Sequence, residues 1–183
     1  MVIHLLPFAG GDSRVPLFSV LSHYTDPDKA ELLRRPDGKP ELVAPDGSHP
    51  LYFNLSHSGG LLAVAVDDRE VGVDIETLSR RLHPALARRM LSQTEQEALA
   101  DEFGPLPQTA PLSEALTKRL LTLWTLKEAL TKATGTGLRT DYRSLSLQAC
   151  PDGSYVCPAV PGIRLRSFVP APGFVGAVAW TEG

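Results

Sequence analysis

Two short stretches hold the residues best suited to chemistry. Val71-Gly72-Val73-Asp74-Ile75-Glu76 alternates apolar with small or acidic residues, and Trp124-Thr125-Leu126-Lys127-Glu128-Ala129-Leu130-Thr131-Lys132 follows some fifty residues later. A strand of that period sends Val71, Val73 and Ile75 to one face and Gly72, Asp74 and Glu76 to the other. The two carboxylates then stand about 7 Å apart at the backbone. Like charges that close repel unless a cation sits between them or one takes up a proton. The second stretch reads as a helix, on which Glu128 and Lys132 share a face one turn apart. A third carboxylate with a lysine beside it can complete an oxygen-ligand Mg²⁺ site for a phosphate ester, with a cation ready for the leaving group. Gly72, on the acidic face, leaves room for a ligand to approach.

Taken singly, each of these features has a plainer reading. A D-x-E strand also fits a solvated sheet face. A Glu-to-Lys pair one turn apart is common on exposed helices. Gly135-x-Gly137 fits a helix end as well as a phosphate loop. Asn54-Leu55-Ser56-His57-Ser58-Gly59-Gly60 reads as a strand end followed by a turn over Ser56–Gly60. Its backbone N–H groups, hydroxyls and imidazole can hold a phosphate, or it is simply a polar turn. Ser56 and His57 are adjacent, a poor geometry for a nucleophile and its base. Gly38-Lys39-Pro40 is a rigid turn presenting one cation, and Arg14, Arg34 and Arg35 are further single cations.

The elements that must position these residues follow from periodicity and punctuation. Residues 1–12 read as short apolar turns ending in Gly10-Gly11-Asp12. Ser13 is a helix cap, with Pro16 in the first turn and Leu17, Val20, Leu21 and Tyr24 at helical spacing. Thr25-Asp26-Pro27-Asp28 breaks that helix. Lys29 to Arg35 is ambiguous, with strand character, and Pro36-Asp37-Gly38-Lys39-Pro40 is a turn. Strands are expected over Leu51–Asn54, Leu61–Val66 and 71–75. Pro84 to Met90 is a helix, and Ser92-Gln93-Thr94-Glu95 is a capping box opening another. A long helix runs from Ser113 to about Thr134. Leu145–Ala149, Ser154–Cys157, Ile163–Val169 and Phe174–Trp180 read as strands of an antiparallel sheet. Leu55–Val66 echoes Phe168–Ala179, each placing a glycine before a small-residue strand that contains Ala-Val-Ala. Either two related lobes follow in tandem, or apolar strands coincide.

Size and composition set limits. The chain has 183 residues, 43% of them apolar and 21% charged, which suits one domain or two small intimate lobes. A net charge of −3 supplies no global field for nucleic acid or anionic membrane. No apolar run approaches the ~20 residues of a membrane helix. Met1-Val-Ile-His-Leu-Leu-Pro lacks a secretory pattern, so cytoplasmic residence and reduced Cys150 and Cys157 are expected.

In combination the features are more specific. A phosphate-holding turn, a D-x-E strand, a Ser-x-x-Glu helix start and then W-x-L-K-E-A-x₂-K-A-x-G-x-G-L resemble the 4′-phosphopantetheinyl transferase family. The upstream G-K-P and N-x-S-H segments are similar to its Sfp-type branch, and the resemblance covers residues 13–147 and, more loosely, the closing strands. It implies an α+β fold of two pseudo-symmetric lobes in tandem, each an antiparallel sheet packed with helices, with the active site at the lobe interface. The boundary falls between an N-terminal lobe, 1–67, and a C-terminal lobe, 68–183. It implies transfer of 4′-phosphopantetheine from coenzyme A to a serine of an acyl or peptidyl carrier protein, by a monomer that needs Mg²⁺.

The same resemblance assigns roles. Asp74, Glu76 and Glu128 would hold Mg²⁺, with Asp74 also meeting the coenzyme. Glu128 would take the carrier serine's proton, Lys132 would neutralise the leaving phosphate oxygen, and Lys127 would touch the same pyrophosphate. Ser56 and His57 would bind coenzyme A phosphates. Lys39 and Pro40 would flank the adenine, and Arg14, with Arg35 second to it, would meet the 3′-phosphate. Glu95 would orient Lys132 or its neighbours. The segment from Arg80 to Gln108, bearing Leu82, Leu86, Met90 and Phe103, would meet the carrier. Only twelve residues precede Ser13, so a first-lobe strand and a lysine-bearing segment are expected to be reduced or missing. The rival readings are a metal-dependent phosphodiesterase or nuclease, and a catalytically inactive module that binds coenzyme A or a carrier.

Overall fold

Two strands without a polar face organise the fold. β5 (Leu61–Asp67) and β10 (Phe174–Thr181) are buried along most of their length, and each is the middle strand of three. β5 lies between β1 (Val2–Pro7) and β4 (Tyr52–Ser58). β10 lies between β6 (Val71–Thr77) and β9 (Ile163–Phe168), and that sheet continues through β8 (Tyr155–Val156) to β7 (Gln148–Ala149). All of these pairings are antiparallel. The computed structural model describes residues 1–26, 29–109, 111–137 and 140–182. Pro27 and Asp28 of the expected break, and Leu138 of the motif string, lie outside the described residues.

The two sheets have a common plan. In each, the first strand pairs with the last strand of its segment, and the last pairs with the one before it, giving β1-β5-β4 and β6-β10-β9. The internal echo falls on the β4–β5 and β9–β10 hairpins. α1 (Arg14–Leu21) belongs to the first segment, together with the small hairpin of β2 (Glu31–Arg34) and β3 (Pro40–Val43). α2 (Pro84–Met90), α3 (Gln93–Phe103) and α4 (Glu114–Thr134) belong to the second. The protein is thus of the α+β class.

Three apolar clusters hold these elements. Leu17, Val20 and Leu21 of α1 pack with Phe53, Leu62, Val64 and Val66. Leu120, Leu126, Ala129 and Leu130 of α4 pack with Leu165, Val175 and Ala177 of the second sheet. The third cluster joins the sheets: Ala63 and Ala65 of β5 meet Val71, Val73 and Ile75 of β6 and Val178 of β10. The expected apolar face of β6 is therefore its contact with the first sheet.

β4 and β6 also meet, through side chains rather than a backbone ladder. Asn54 Oδ1, Ser56 Oγ and Ser58 Oγ accept the backbone N–H groups of Val73, Ile75 and Thr77 at 3.0, 3.2 and 3.2 Å. Every second residue of β4 is thus tied to every second residue of β6, as strand alternation requires.

Several local expectations are corrected. Residues 2–7 form a strand paired with β5 from Val2↔Val66 to Pro7↔Leu61, not apolar turns. Local sequence gave no turn-strand contrast there, and pairing with β5 decides it. β4 runs through Ser58, so the turn shrinks to Gly59-Gly60, both at positive φ (53° and 85°). α1 stops at Leu21, and Ser13 makes no side-chain cap bond. Asp12 Oδ1 accepts the Arg14 N–H instead, at 2.9 Å. Part of the expected strand 145–149 is preceded by a 3-10 turn at Tyr142–Ser144 and reduces to β7. The capping box is present, with Ser92 and Glu95 each bonding the other's backbone N–H. α4 ends at Gly135 in the left-handed region. Cys150 and Cys157 are free thiols. Among the described residues, no helix is long and apolar enough to cross a membrane.

Candidate active site

The site begins with a close approach of backbone to backbone. A Cβ on Gly72 would lie 2.1 Å from the Ala129 carbonyl oxygen and 2.4 Å from the Ala133 nitrogen. Gly72 therefore lets α4 sit directly on β6. The space expected for a ligand is filled by the helix, and the acidic face of β6 looks at α4 because of it. One turn of α4 presents Glu128 and Lys132 toward that face.

Lys132 Nζ donates to Asp74 Oδ1 at 2.7 Å and to the Val73 carbonyl at 3.1 Å. Asp74 Oδ1 also accepts the Ser56 hydroxyl at 2.7 Å. Asp74 is buried, yet its Oδ2 has no hydrogen-bond partner among the described residues. Glu128 Oε1 accepts the Tyr142 hydroxyl at 2.7 Å. Burial pushes the Glu128 carboxyl above the usual carboxylate range against the pull of that hydroxyl, and the charge of Asp74 raises it further. Burial likewise pushes the Tyr142 phenol upward.

Glu76 is held differently. Ser58 Oγ donates to its Oε2 at 2.9 Å, and Arg80, four residues on, forms an ion pair with its Oε1. The Arg80 guanidinium lies 5.2 Å from the centre of the Trp124 ring. That ring meets Tyr142 edge-on at 5.7 Å. A belt of Glu76, Arg80, Trp124, Tyr142 and Glu128 thus closes one side of the cluster, with Asp74 and Lys132 on the other.

These groups fit a divalent cation in part. A buried, unpartnered carboxylate oxygen, with a second carboxylate in its field, is the donor chemistry of a hard, oxygen-bound ion. Asp74 and Glu128 meet that description. Glu76 does not, because Arg80 takes its charge. Among the described residues no three His, Cys, Asp or Glu side chains are grouped closely enough to hold a metal as they stand. The expected convergence of all three acids is therefore incomplete, since cationic neighbours balance two of them.

Other expected site residues lie elsewhere. Lys127 is fully buried on the opposite side of α4, where its Nζ bonds Glu95 Oε2 at 2.5 Å, the Met90 carbonyl at 2.7 Å and the Tyr142 carbonyl at 3.0 Å. It ties α2, α3 and the 3-10 turn to α4 and cannot reach a pyrophosphate. Glu95 accordingly orients Lys127, not Lys132, and its Oε1 accepts the Leu147 N–H. Ser56 lies within a strand, only 7% exposed, with its hydroxyl turned to β6 and Asp74. It is not available to a coenzyme phosphate.

Lys39 Nζ bonds Glu70 Oε2 at 2.5 Å, the Val71 carbonyl at 3.1 Å and the Ala133 carbonyl at 3.4 Å. It pins the β2–β3 hairpin to β6 and α4. Arg35 pairs with the other oxygen of Glu70. With Pro40 these residues line a recess of about 10 Å³, room for roughly one water. Arg14 is exposed and forks onto Asp12, whose carboxyl it holds down at about 2. His57 is exposed beside Phe8, with ring centres 5.1 Å apart. Both line, with Gly10, Gly59 and Gly60, an open hollow of about 260 Å³.

The expected carrier-facing residues are corrected as well. Leu82 and Met90 are core residues, and Leu86 and Phe103 pack against the same core. Helical spacing in α2 could not reveal which face was buried. A cavity of about 970 Å³ opens nearby and is lined by Leu78, Arg80, Arg81, Leu82, Leu112 and Lys118 among others.

Sequence reasoning passed over Asn54, Ser58, Arg80 and Tyr142. The period-two run Asn54-x-Ser56-x-Ser58 was a strand signal, hidden by reading it as a turn. Arg80 stands four residues after Glu76, but no helix connects them. Nothing local marked Tyr142.

The fold and the cluster define an α+β protein with an acid–lysine centre between a strand and a long helix. Residues 70–163 match the 4'-phosphopantetheinyl transferase superfamily, and the chain belongs to it. It is 38% identical over 102 residues to the 4'-phosphopantetheinyl transferase psf-1 of Bacillus pumilus, an alignment covering 56% of this chain and 40% of that one. It is 32% identical over 167 residues to HetI, a 4'-phosphopantetheinyl transferase of Nostoc, covering 89% of this chain and 66% of HetI. With the 4'-phosphopantetheinyl transferase Sfp of Bacillus subtilis it shares 30% identity over 137 residues, 74% of this chain and 55% of Sfp. The chain spans about half the length of the curated relatives it matches.

Proposed function

We propose that this protein transfers the 4′-phosphopantetheine arm of coenzyme A to a serine of an apo acyl or peptidyl carrier protein, releasing 3′,5′-ADP. The observation that carries this reading is the Asp74–Lys132 pair beside Glu128, with one buried Asp74 oxygen unpartnered among the described residues. In the reaction the carrier serine oxygen attacks the phosphorus that bears the pantetheine. A new P–O bond forms as the bond to the bridging pyrophosphate oxygen breaks. The electron pair leaves on 3′,5′-ADP, and the serine proton passes to Glu128.

The residues suit these tasks. Burial raises the basicity of Glu128, as a general base at neutral pH requires. Tyr142 engages Oε1 and leaves Oε2 for other contacts. The Lys132 side chain is 27% exposed, open enough to meet a leaving phosphate oxygen while anchored to Asp74. Asp74 and Glu128 would hold Mg²⁺, joined by Glu76 once it parts from Arg80. Bound there, the ion would cancel charge on the pyrophosphate. Phosphoryl transfer depends mainly on such positioning and charge cancellation.

For coenzyme A, we assign the hollow at His57, together with Arg14, to the 3′-phosphate. Arg35, Lys39 and Pro40 frame the nucleoside end from the β2–β3 hairpin. This puts the site between an N-terminal lobe, 1–67, and a C-terminal lobe, 68–183. The groove, with Arg81 and Lys118 beside Glu114 over an apolar floor, would take an amphipathic helix of the carrier, its acidic residues meeting Arg81 and Lys118. We infer a monomer working in the cytoplasm, because both lobes lie in one chain.

The test is direct. Protein, Mg²⁺, coenzyme A and an apo carrier are mixed, and mass spectrometry reads the phosphopantetheine increment on the carrier. Transfer is expected, and it is expected to be lost in Glu128→Gln and Asp74→Ala with the fold retained by circular dichroism. Full activity in both variants overturns the assignment.

A further inference from the structure

The β4–β6 contact repeats one motif three times, with a functional difference between the repeats. Asn54, Ser56 and Ser58 each accept a backbone N–H of β6. The neighbouring β6 residue differs: Gly72 beside Asn54, but Asp74 beside Ser56 and Glu76 beside Ser58. With a hydroxyl lone pair already occupied by an N–H, each serine gives its hydroxyl proton to that carboxylate: Ser56 to Asp74 at 2.7 Å and Ser58 to Glu76 at 2.9 Å. Gly72 offers Asn54 no carboxylate, so Asn54 shares the strap but not the donation.

We propose that Ser56 and Ser58 are positioning residues, which hold the Asp74 and Glu76 carboxylates rotated so that their other oxygens face a divalent ion. Resting on the reading given above, this makes the first sheet a participant in a centre whose acids and lysine lie on the second. The geometry agrees for Asp74. Both the Ser56 hydroxyl and Lys132 bond Oδ1, and Oδ2 is the oxygen left without a partner. For Glu76 the serine holds Oε2 while Arg80 holds Oε1. Ser58 therefore fixes the carboxylate on one side, and exchange of Arg80 frees the other. Groups that orient metal-binding carboxylates in this manner govern affinity without touching the ion.

The experiment uses Mn²⁺ as the probe and electron paramagnetic resonance of free Mn²⁺ as the readout, on the intact protein without carrier. Ser56→Ala is expected to weaken Mn²⁺ binding by about 10–100-fold, and Ser58→Ala by about tenfold. Ser58→Thr, which keeps the hydroxyl at a half-buried position, is expected to restore binding. Asn54→Ala is expected to lower thermal stability while leaving Mn²⁺ affinity within about twofold. In the transfer assay the serine variants shift the Mg²⁺ requirement upward and recover most of the rate at saturating Mg²⁺. Wild-type affinity in both serine variants overturns the inference, as does an equal loss in Asn54→Ala, which marks simple loosening of the strap. A wild-type protein that binds no Mn²⁺, with or without coenzyme A, overturns the metal reading itself and this inference with it.

Discussion

At the residue scale, the site is a problem of balancing negative charge. Asp74, Glu76 and Glu128 crowd one region, and each has a different answer to repulsion. Asp74 has Lys132, Glu76 has Arg80, and Glu128 is buried beside a phenol that donates to it. Lys132 is therefore a structural counter-ion and, in the proposed reaction, also the cation aimed at substrate. Lys132→Met should cut the transfer rate constant by about 10²–10³-fold, the usual loss for one preorganised electrostatic group. Lys132→Arg should recover little, because a planar fork does not reproduce a point charge bonded to both Asp74 and the Val73 carbonyl. Single-turnover transfer measured by mass spectrometry checks both. Near-wild-type rates in the methionine variant would remove Lys132 from the chemistry.

At the element scale, two contacts beyond the apolar packing fix where α4 sits. The first is the backbone approach at Gly72. Gly72→Ala must push α4 from β6, since the new methyl would meet backbone that cannot turn aside. The expected cost is about 1–3 kcal/mol in urea unfolding. Transfer should fall further than this cost explains, because Glu128 and Lys132 move with the helix. The second is the buried Lys127–Glu95 pair, which joins α4 to α3 and, through the Met90 carbonyl, to α2. Lys127→Met leaves Glu95 buried without its counter-ion, and about 3–5 kcal/mol of stability should be lost. Any loss of transfer should then follow the folded fraction, which separates this lysine from Lys132.

At the scale of the whole molecule, the two sheets share an apolar cluster and a side-chain strap, so neither half has a closed surface alone. Val71, Val73, Ile75 and Val178 would be exposed without β5. One cooperative unfolding transition is expected for the intact chain. A fragment of residues 68–183 should aggregate or bind hydrophobic dyes. Coenzyme A with Mg²⁺ should raise the unfolding temperature of the whole chain by binding across both sheets, worth about 2.7 kcal/mol at a hundredfold excess over Kd. The shift should shrink in His57→Ala. A fragment 68–183 that binds coenzyme A as tightly as the whole chain would show that the first sheet plays no part.

The sequence alone determined what local chemistry and periodicity can specify. The alternation in 71–76 set which residues of β6 turn toward the other sheet, and Ser92-x-x-Glu95 set a helix start. One-turn spacing put Glu128 and Lys132 on one face of α4. These follow from a strand period of two and a helical turn of about 3.6 residues, and neither needs a partner. Tertiary structure decided which neighbour each polar group found. Lys127 and Lys132 are equally cationic in the string, yet one is sealed in the core and one faces Asp74, because that depends on which side of α4 rests on the sheet. Ser56 belonged by type to a phosphate turn but bonds a carboxylate, because its strand runs on to Ser58 and lies beside β6. Whether Gly72 meant ligand space or helix contact depended on the packing distance of α4, which no residue of β6 encodes by itself.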